Sequence, residues 1–105
     1  MKLTDLRDLL LTVGVPVFHY YATKQSDKYI VWAEDGEVGS SDGDNQKMAQ
    51  VLQGTIDYFT KTEFDPNVEA IQEKLNAAEI SWSLNSIQYE EDTGYIHYEW
   101  VWELI

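Results

Sequence analysis

A change of hydrophobic parity inside residues 80–104 constrains this chain more than any other feature. From Tyr95 onward the even positions Ile96, Tyr98, Trp100, Trp102 and Leu104 are all apolar, while His97, Glu99 and Glu103 stand at odd ones. A period of two marks a strand with one buried face. The preceding arm starts in the same phase with Ile80, Trp82 and Leu84, then switches to odd positions at Ile87 and Tyr89. In a hairpin turning through Glu91-Asp92-Thr93-Gly94, Glu90 would oppose Tyr95, Tyr89 would oppose Ile96 and Ile87 would oppose Tyr98. One extra residue then sets Leu84 against Trp100, Trp82 against Trp102 and Ile80 against Leu104. We therefore expect a β-bulge at Asn85 and Ser86 opposite Glu99, because a slip of one residue would turn apolar side chains outward. The aromatic face so formed is expected to be the core wall on which helices lie. That leaves the opposite face, the sheet edges and an acidic loop for function.

The rest of the chain supplies cover for that wall. Residues 3–13 read as a helix, with Leu6, Leu9, Leu10 and Val13 on one stripe, Thr4 at the cap and Gly14 and Pro16 at the end. Residues 15–22 read as a strand apolar on both faces, started by Pro16. A turn over 23–28 would make residues 29–34 its antiparallel partner. Residues 35–46 are acidic and rich in Gly, Ser and Asn, which predicts a mobile loop outside the core, of a length that is usually functional or disordered. Residues 48–60 resume as a strand, with Leu52, Ile56 and Tyr58 on one face; Gly54 in its middle points to a bend or to close packing. Asp65 as N-cap and Pro66 in first position open a helix to about residue 78, with Val68, Ile71, Leu75 and Ala78 as its buried stripe. The expectation is one α+β domain over 1–105, in the order α-β-β-β-α-β-β: an antiparallel or mixed sheet of about five strands with both helices on one face.

Charge and composition exclude several function classes. Nineteen acidic against seven basic residues give a formal charge of −12, which repels phosphate backbones, so no nucleic-acid partner is expected. There is no cysteine, hence neither a disulfide framework nor a cysteine metal site. No stretch reaches the ~20 apolar residues of a membrane span, and the polar amphipathic start is unlike a signal peptide, so an intracellular protein without a membrane partner is expected.

Candidate chemistry is sparse. Asp92-Thr93-Gly94 matches the aspartic-protease triplet, but follows Glu90 and Glu91 near the chain's end and reads better as a turn. Asp42-Gly43-Asp44-Asn45 resembles the start of a calcium loop, yet Gln53 stands where the twelfth-position glutamate belongs. His19 and His97 lie on different strands, without the i, i+4 spacing of a zinc site, and read as hydrogen-bonded edge or core residues. In Glu99-Trp100-Val101-Trp102-Glu103 the acids point away from the tryptophans, which separates any sugar platform from its acids. No nucleophile elbow, phosphate loop or dinucleotide fingerprint occurs. No catalytic residue, cofactor or metal ligand is therefore assigned. The carboxylates of the loop, Asp35, Glu37, Asp42 and Asp44, and those of the last strand, Glu99 and Glu103, are the expected partner-binding residues.

Four strings, Val15-Pro16-Val17-Phe18-His19-Tyr20, Tyr29-Ile30-Val31-Trp32-Ala33-Glu34, Gly54-Thr55-Ile56-Asp57-Tyr58-Phe59-Thr60-Lys61 and Ile96-His97-Tyr98-Glu99-Trp100-Val101-Trp102-Glu103, resemble those of small proteins of siphophages and prophages of Gram-positive bacteria. Those proteins are similar to tail-completion, or tail-terminator, proteins. The resemblance implies an α+β fold of a sheet and two helices, and a non-enzymatic virion protein present in the host cytoplasm before assembly. It also implies a hexameric ring at the end of the tail tube and other tail or connector proteins as partners. It carries no catalytic residues. A reading from another class stands beside it: an acidic intracellular inhibitor, such as a DNA mimic occupying a basic host protein. Charge favours that reading, whereas concentration of the acids in loops and turns does not; an enzyme ranks third.

Overall fold

In the computed structural model, which describes residues 1–38, 42–43, 46–47 and 50–105, the C-terminal hairpin obeys the parity of its side chains. Strand β6 (Ser81–Glu90) pairs antiparallel with β7 (Tyr95–Leu104). Glu90 faces Tyr95, Tyr89 faces Ile96, Ile87 faces Tyr98, Leu84 faces Trp100 and Trp82 faces Trp102. The register shifts between Leu84 and Ser86, so Asn85 is the extra residue and Ser86 stands opposite Glu99. The Asp92-Thr93-Gly94 triplet is the hairpin turn: Gly94 takes φ +79°, its N–H donates to the Glu90 carbonyl at 2.8 Å, and the Thr93 hydroxyl accepts the Tyr95 N–H at 3.2 Å.

Before this hairpin come α1 (Leu3–Leu11), β1 (Val17–His19), β2 (Lys28–Glu37), β3 (Asp42–Gly43), β4 (Gln46–Lys47), β5 (Leu52–Thr60) and α2 (Asn67–Ala77). The five long-range strands form one mixed, mostly antiparallel sheet in the order β1-β2-β5-β7-β6, and β3 and β4 form a separate two-stranded ladder. The fold is thus α+β, with both helices on one sheet face. Across the sheet, Trp32, Ile56, Trp100 and Leu84 share one row, and Ile30, Tyr58, Tyr98 and Ile87 the next. Leu6 and Leu10 of α1 and Ile71 and Leu75 of α2 close over these rows and join Ile30, Trp32, Ile56, Tyr58, Trp100 and Trp102 in the buried core.

Two expectations about the first strands are corrected. β1 is only three residues long and runs parallel to β2, with Val17 opposite Ile30 and His19 opposite Trp32. Tyr20 explains it: in the left-handed region at φ +73°, with its N–H donating to the Trp32 carbonyl at 2.8 Å, it ends the strand and turns the chain off the sheet. Residues 20–27 then carry the chain back to the start of β2. The loop expected from residue 35 begins later, because Asp35, Gly36 and Glu37 belong to β2. Asp35 is a bulge there, Gly36 faces Gln53 and Glu37 faces Leu52. Of the loop expected to be mobile, residues 39–41 and 44–45 lie outside the described residues, while residues 42, 43 and 46 belong to the β3–β4 ladder.

Helix starts follow local hydrogen bonding. Lys2, rather than Thr4, begins α1: its N–H donates to the Asp5 carboxylate at 2.8 Å. Asp65 caps α2, its Oδ1 accepting the Asn67 N–H at 2.9 Å. Among the described residues no helix is long and apolar enough to cross a membrane.

Gly54 is present for close packing. It lies between Glu34 on β2 and Trp102 on β7, and a Cβ built there would strike the Ala33 carbonyl oxygen, the Trp102 ring and the Glu34 Cα. Two of these obstacles are backbone and cannot swing aside. Gly54→Ala is expected to cost about 3 kcal/mol or more through overpacking, read as a lower urea midpoint at unchanged slope. A midpoint equal to the wild type would refute the close contact.

The apolar face is covered only in part. Leu84, Ile87 and Tyr89 share the face of Trp100 and Trp102, yet are 41%, 57% and 66% exposed. Helix α2 reaches the start of β6, where the Trp82 indole N–H donates to Asn76 Oδ1 at 2.8 Å, and the strand from Leu84 toward the turn is left open.

Candidate functional site

The opposite face carries no helix, and its centre is a carboxylate pair created by register. Asp57 on β5 stands directly across from Glu99 on β7, with Phe59 opposite His97 one row away. Like charges facing each other across a ladder repel, and each has a partner that offsets this. His97 Nε2 lies 2.7 Å from Asp57 Oδ1, and Asn85 donates its amide N–H to Glu99 Oε1 at 2.6 Å. Asn85 is the bulged residue of β6, so the extra residue that aligns the apolar face also provides a donor on this one.

Around the pair stands an aromatic cluster. His97 stacks on Phe59 at 4.2 Å between ring centroids, Phe59 stacks on Tyr29 at 4.7 Å, and Tyr95 meets both edge-on. Tyr29 and Tyr95 are buried although no helix covers them, because residues 20–27 fold over this end; the Tyr95 hydroxyl donates to the Ser26 carbonyl at 2.6 Å. Between that segment and the sheet lies an open groove of about 440 Å3, lined by Tyr20, Tyr21, Tyr29, Phe59, Asp57 and His97 among others.

The electrostatics are those of a cation-accepting surface. The hydrogen bond to Asp57 holds the His97 pKa above its ordinary value, against burial, with the charges of Asp57, Glu90 and Glu99 adding to it. A proton on His97 neutralises one charge beside two neighbouring carboxylates. Outside the groove, Lys61 Nζ sits 4.9 Å from the centre of the Tyr95 ring, showing how a basic side chain fits this aromatic cluster. Among the described residues, the groups bonded or ion-paired to His97 are the carboxylates of Asp57 and Glu90. His97 is thereby an acid–base group whose protonated form is favoured by the carboxylates around it.

The carboxylates expected to bind partners are dispersed. Glu99 and Glu103 lie on the helix-free face, Glu103 exposed and opposite Gln53. Asp35 is exposed at the β2 bulge, and Glu37, half buried, lies opposite Leu52, in the register of the helix-covered face. Asp42 begins β3, its side chain outside the described residues, as is Asp44 altogether. The structure therefore joins Glu99 to Asp57, His97 and Asn85, while the described loop acids, Asp35 and Glu37, stand on β2 away from it. His19, on the other face at the β1 edge, is likewise carboxylate-bonded: Glu34 accepts from it at 2.8 Å and from the Tyr20 hydroxyl, while its ring is stacked between Tyr20 and Trp32. No protein-family model matches this chain, and no curated protein matches its sequence.

Proposed function

We propose that this chain is a structural, non-enzymatic assembly protein whose exposed edges and helix-free face receive other subunits. Within that class, we read it as a virion protein of a phage or prophage that completes the tail, or joins it to the head, by forming a ring at the end of the tail tube. The observation that carries this reading is the way the sheet is used: two helices cover one face, while among the described residues both edge strands lack a further strand and the other face, folded over by residues 20–27 at one end only, keeps an open aromatic groove beside its carboxylates. The strand strings that resemble tail-completion proteins give the assembly its identity, and the α+β order of two helices on one sheet agrees with that resemblance.

The test is addition of the purified chain to tail tubes assembled without it, followed by electron microscopy. Density at one end of the tube, together with recovered joining to heads, is the expected result; tubes that remain bare and unjoined would sink this reading. The inhibitor reading keeps one observation in its favour, since Asp57, Glu99 and Glu103 are spaced along a single face. Competition with DNA for a basic enzyme, without tail binding, would select it instead.

A further inference from the structure

Charge is spread unevenly along this chain. Among 105 residues with a net charge of −12, residues 9–23 contain no Asp, Glu, Lys or Arg, and residues 81–89 contain neither these nor His. Folding sends the two uncharged stretches to opposite edges of the sheet, since the first holds β1 and the second makes up nearly all of β6. Both edges leave apolar side chains in the open: Leu11, Tyr20 and Tyr21 on the β1 side, and Leu84, Ile87 and Tyr89 on β6. Beside β1 a groove of about 240 Å3, lined by Leu3, Leu11, Val17 and Trp32 with Arg7 and His19 at its side, offers room for an apolar side chain. Glu34, beside this edge, is engaged by His19 and Tyr20, and Arg7 of the groove is paired with Asp8 at 2.9 Å.

An edge strand of ten residues whose first nine carry no charge, Glu90 alone closing it, is an open template for association. The bulge at Asn85 bends it, limits strand addition to part of its length and turns contact toward side chains. We propose that a second copy of this chain covers these surfaces, the β6 edge of one protomer meeting the β1 edge of the next. Charge selects the occupant. Two copies at −12 repel wherever their acidic surfaces approach, and the uncharged edges are where they approach without that cost; a basic partner would gain nothing at residues 81–89. Contact between different edges is head-to-tail, and such contacts close into rings when the rotation per subunit permits. Pairing of β6 with β6 would leave the apolar β1 edge uncovered. The inference rests on the reading above that copies of this chain assemble, and adds which surfaces they use.

Because the chain has no cysteine, single-cysteine variants report on neighbours without background. Mild oxidation of Ser83→Cys mixed with Tyr21→Cys is expected to give cross-linked pairs between the two variants. Light scattering of the wild type is expected to give multiples of 12.2 kDa, falling to the single-chain mass in the double variant Ser83→Asp/Gln88→Glu. Both substituted residues are exposed on β6, so circular dichroism and melting temperature should not change. A wild type that stays monomeric to about 1 mM, or an oligomer indifferent to the added charges, overturns the proposal. Cross-links only between two Ser83→Cys chains, or none, overturn the head-to-tail arrangement. Failure of these tests in a chain that still caps tail tubes leaves the tail reading standing, and self-association through these edges without tail binding removes that reading alone.

Discussion

Asp65→Ala is expected to destabilise the protein by about 3–5 kcal/mol, from loss of a buried acceptor and of a helix cap. The Asp65 side chain is fully buried, and four donors converge on it. Oδ2 accepts the hydroxyls of Tyr58 and Thr60, each at 2.7 Å, with Lys28 Nζ at 3.3 Å, and Oδ1 accepts the Asn67 N–H that opens α2. Alanine leaves the Tyr58 and Thr60 hydroxyl protons and the Asn67 N–H without their acceptor, although the two hydroxyl oxygens still accept from the Asn67 amide and the Thr62 N–H. Asp65→Asn keeps the shape but not the chemistry: with its oxygen toward Tyr58 and Thr60, its amide N–H opposes the Asn67 N–H. It should fall between wild type and alanine in urea unfolding, and an asparagine variant as stable as wild type would refute the role of the second oxygen.

The same group sets a pH dependence. Burial pushes the Asp65 carboxyl up, but the hydrogen bonds from Tyr58, Asn67, Thr60 and Lys28 outweigh it and hold the pKa below its ordinary value. A depressed carboxyl contributes stability above its unfolded pKa and loses it as pH falls through the folded one. Tyr58 moves the other way, pushed up from 10.0 to about 12, by burial first and then by its bond to Asp65; its contribution fades as pH rises between those values. These two groups make stability fall at both extremes of pH, while His97, whose folded pKa is raised from 6.5, adds a contribution present below that value and lost as pH rises through its folded pKa; the acid arm should be weaker in Asp65→Asn.

What the sequence disclosed divides along physical lines. The Asn85 bulge was legible because burial imposes a period of two, and a period that changes phase in one strand demands an inserted residue. The Asp65 cap was legible because capping is local. Its three other partners were not, since Tyr58 and Thr60 converge on it only once β5 is laid beside α2, and Lys28 comes from another strand. The direction of β1 was hidden because parallel and antiparallel strands alternate alike; the deciding fact is the left-handed Tyr20, a conformation that tyrosine does not advertise. Asp35, Gly36 and Glu37 had loop composition, but pairing with Gln53 and Leu52 overrides weak strand propensity. Of the candidate site, Glu99 was named from its place opposite the apolar face. Asp57 and the aromatic groove escaped, because the register that joins them runs between β5 and β7, which are separated in the chain by α2.

Trp100→Ala is expected to cost about 3–5 kcal/mol, the range for removing a large aromatic from a core, and so to consume much of the ~5–15 kcal/mol that holds a domain folded. Trp100 is fully buried between Ile56 on β5 and Leu84 on β6, and its indole N–H donates to Gln72 Oε1 of α2 at 3.0 Å. Its removal opens a cavity under the helix and also cuts a tie between helix and sheet. At about 4–8 °C per kcal/mol for a domain near this size, the melting point should fall by roughly 12–40 °C. Leu84→Ala, in the same row but 41% exposed, should change it little. The two tryptophans should also respond differently to phenylalanine. Trp100→Phe strands Gln72, whereas the buried Trp102 N–H finds no acceptor among the described residues, so Trp102→Phe loses ring volume but no hydrogen bond. Trp100→Phe is therefore expected to be the less stable of the pair; the reverse order in thermal melts would show that the Gln72 bond contributes less than the volume lost at Trp102.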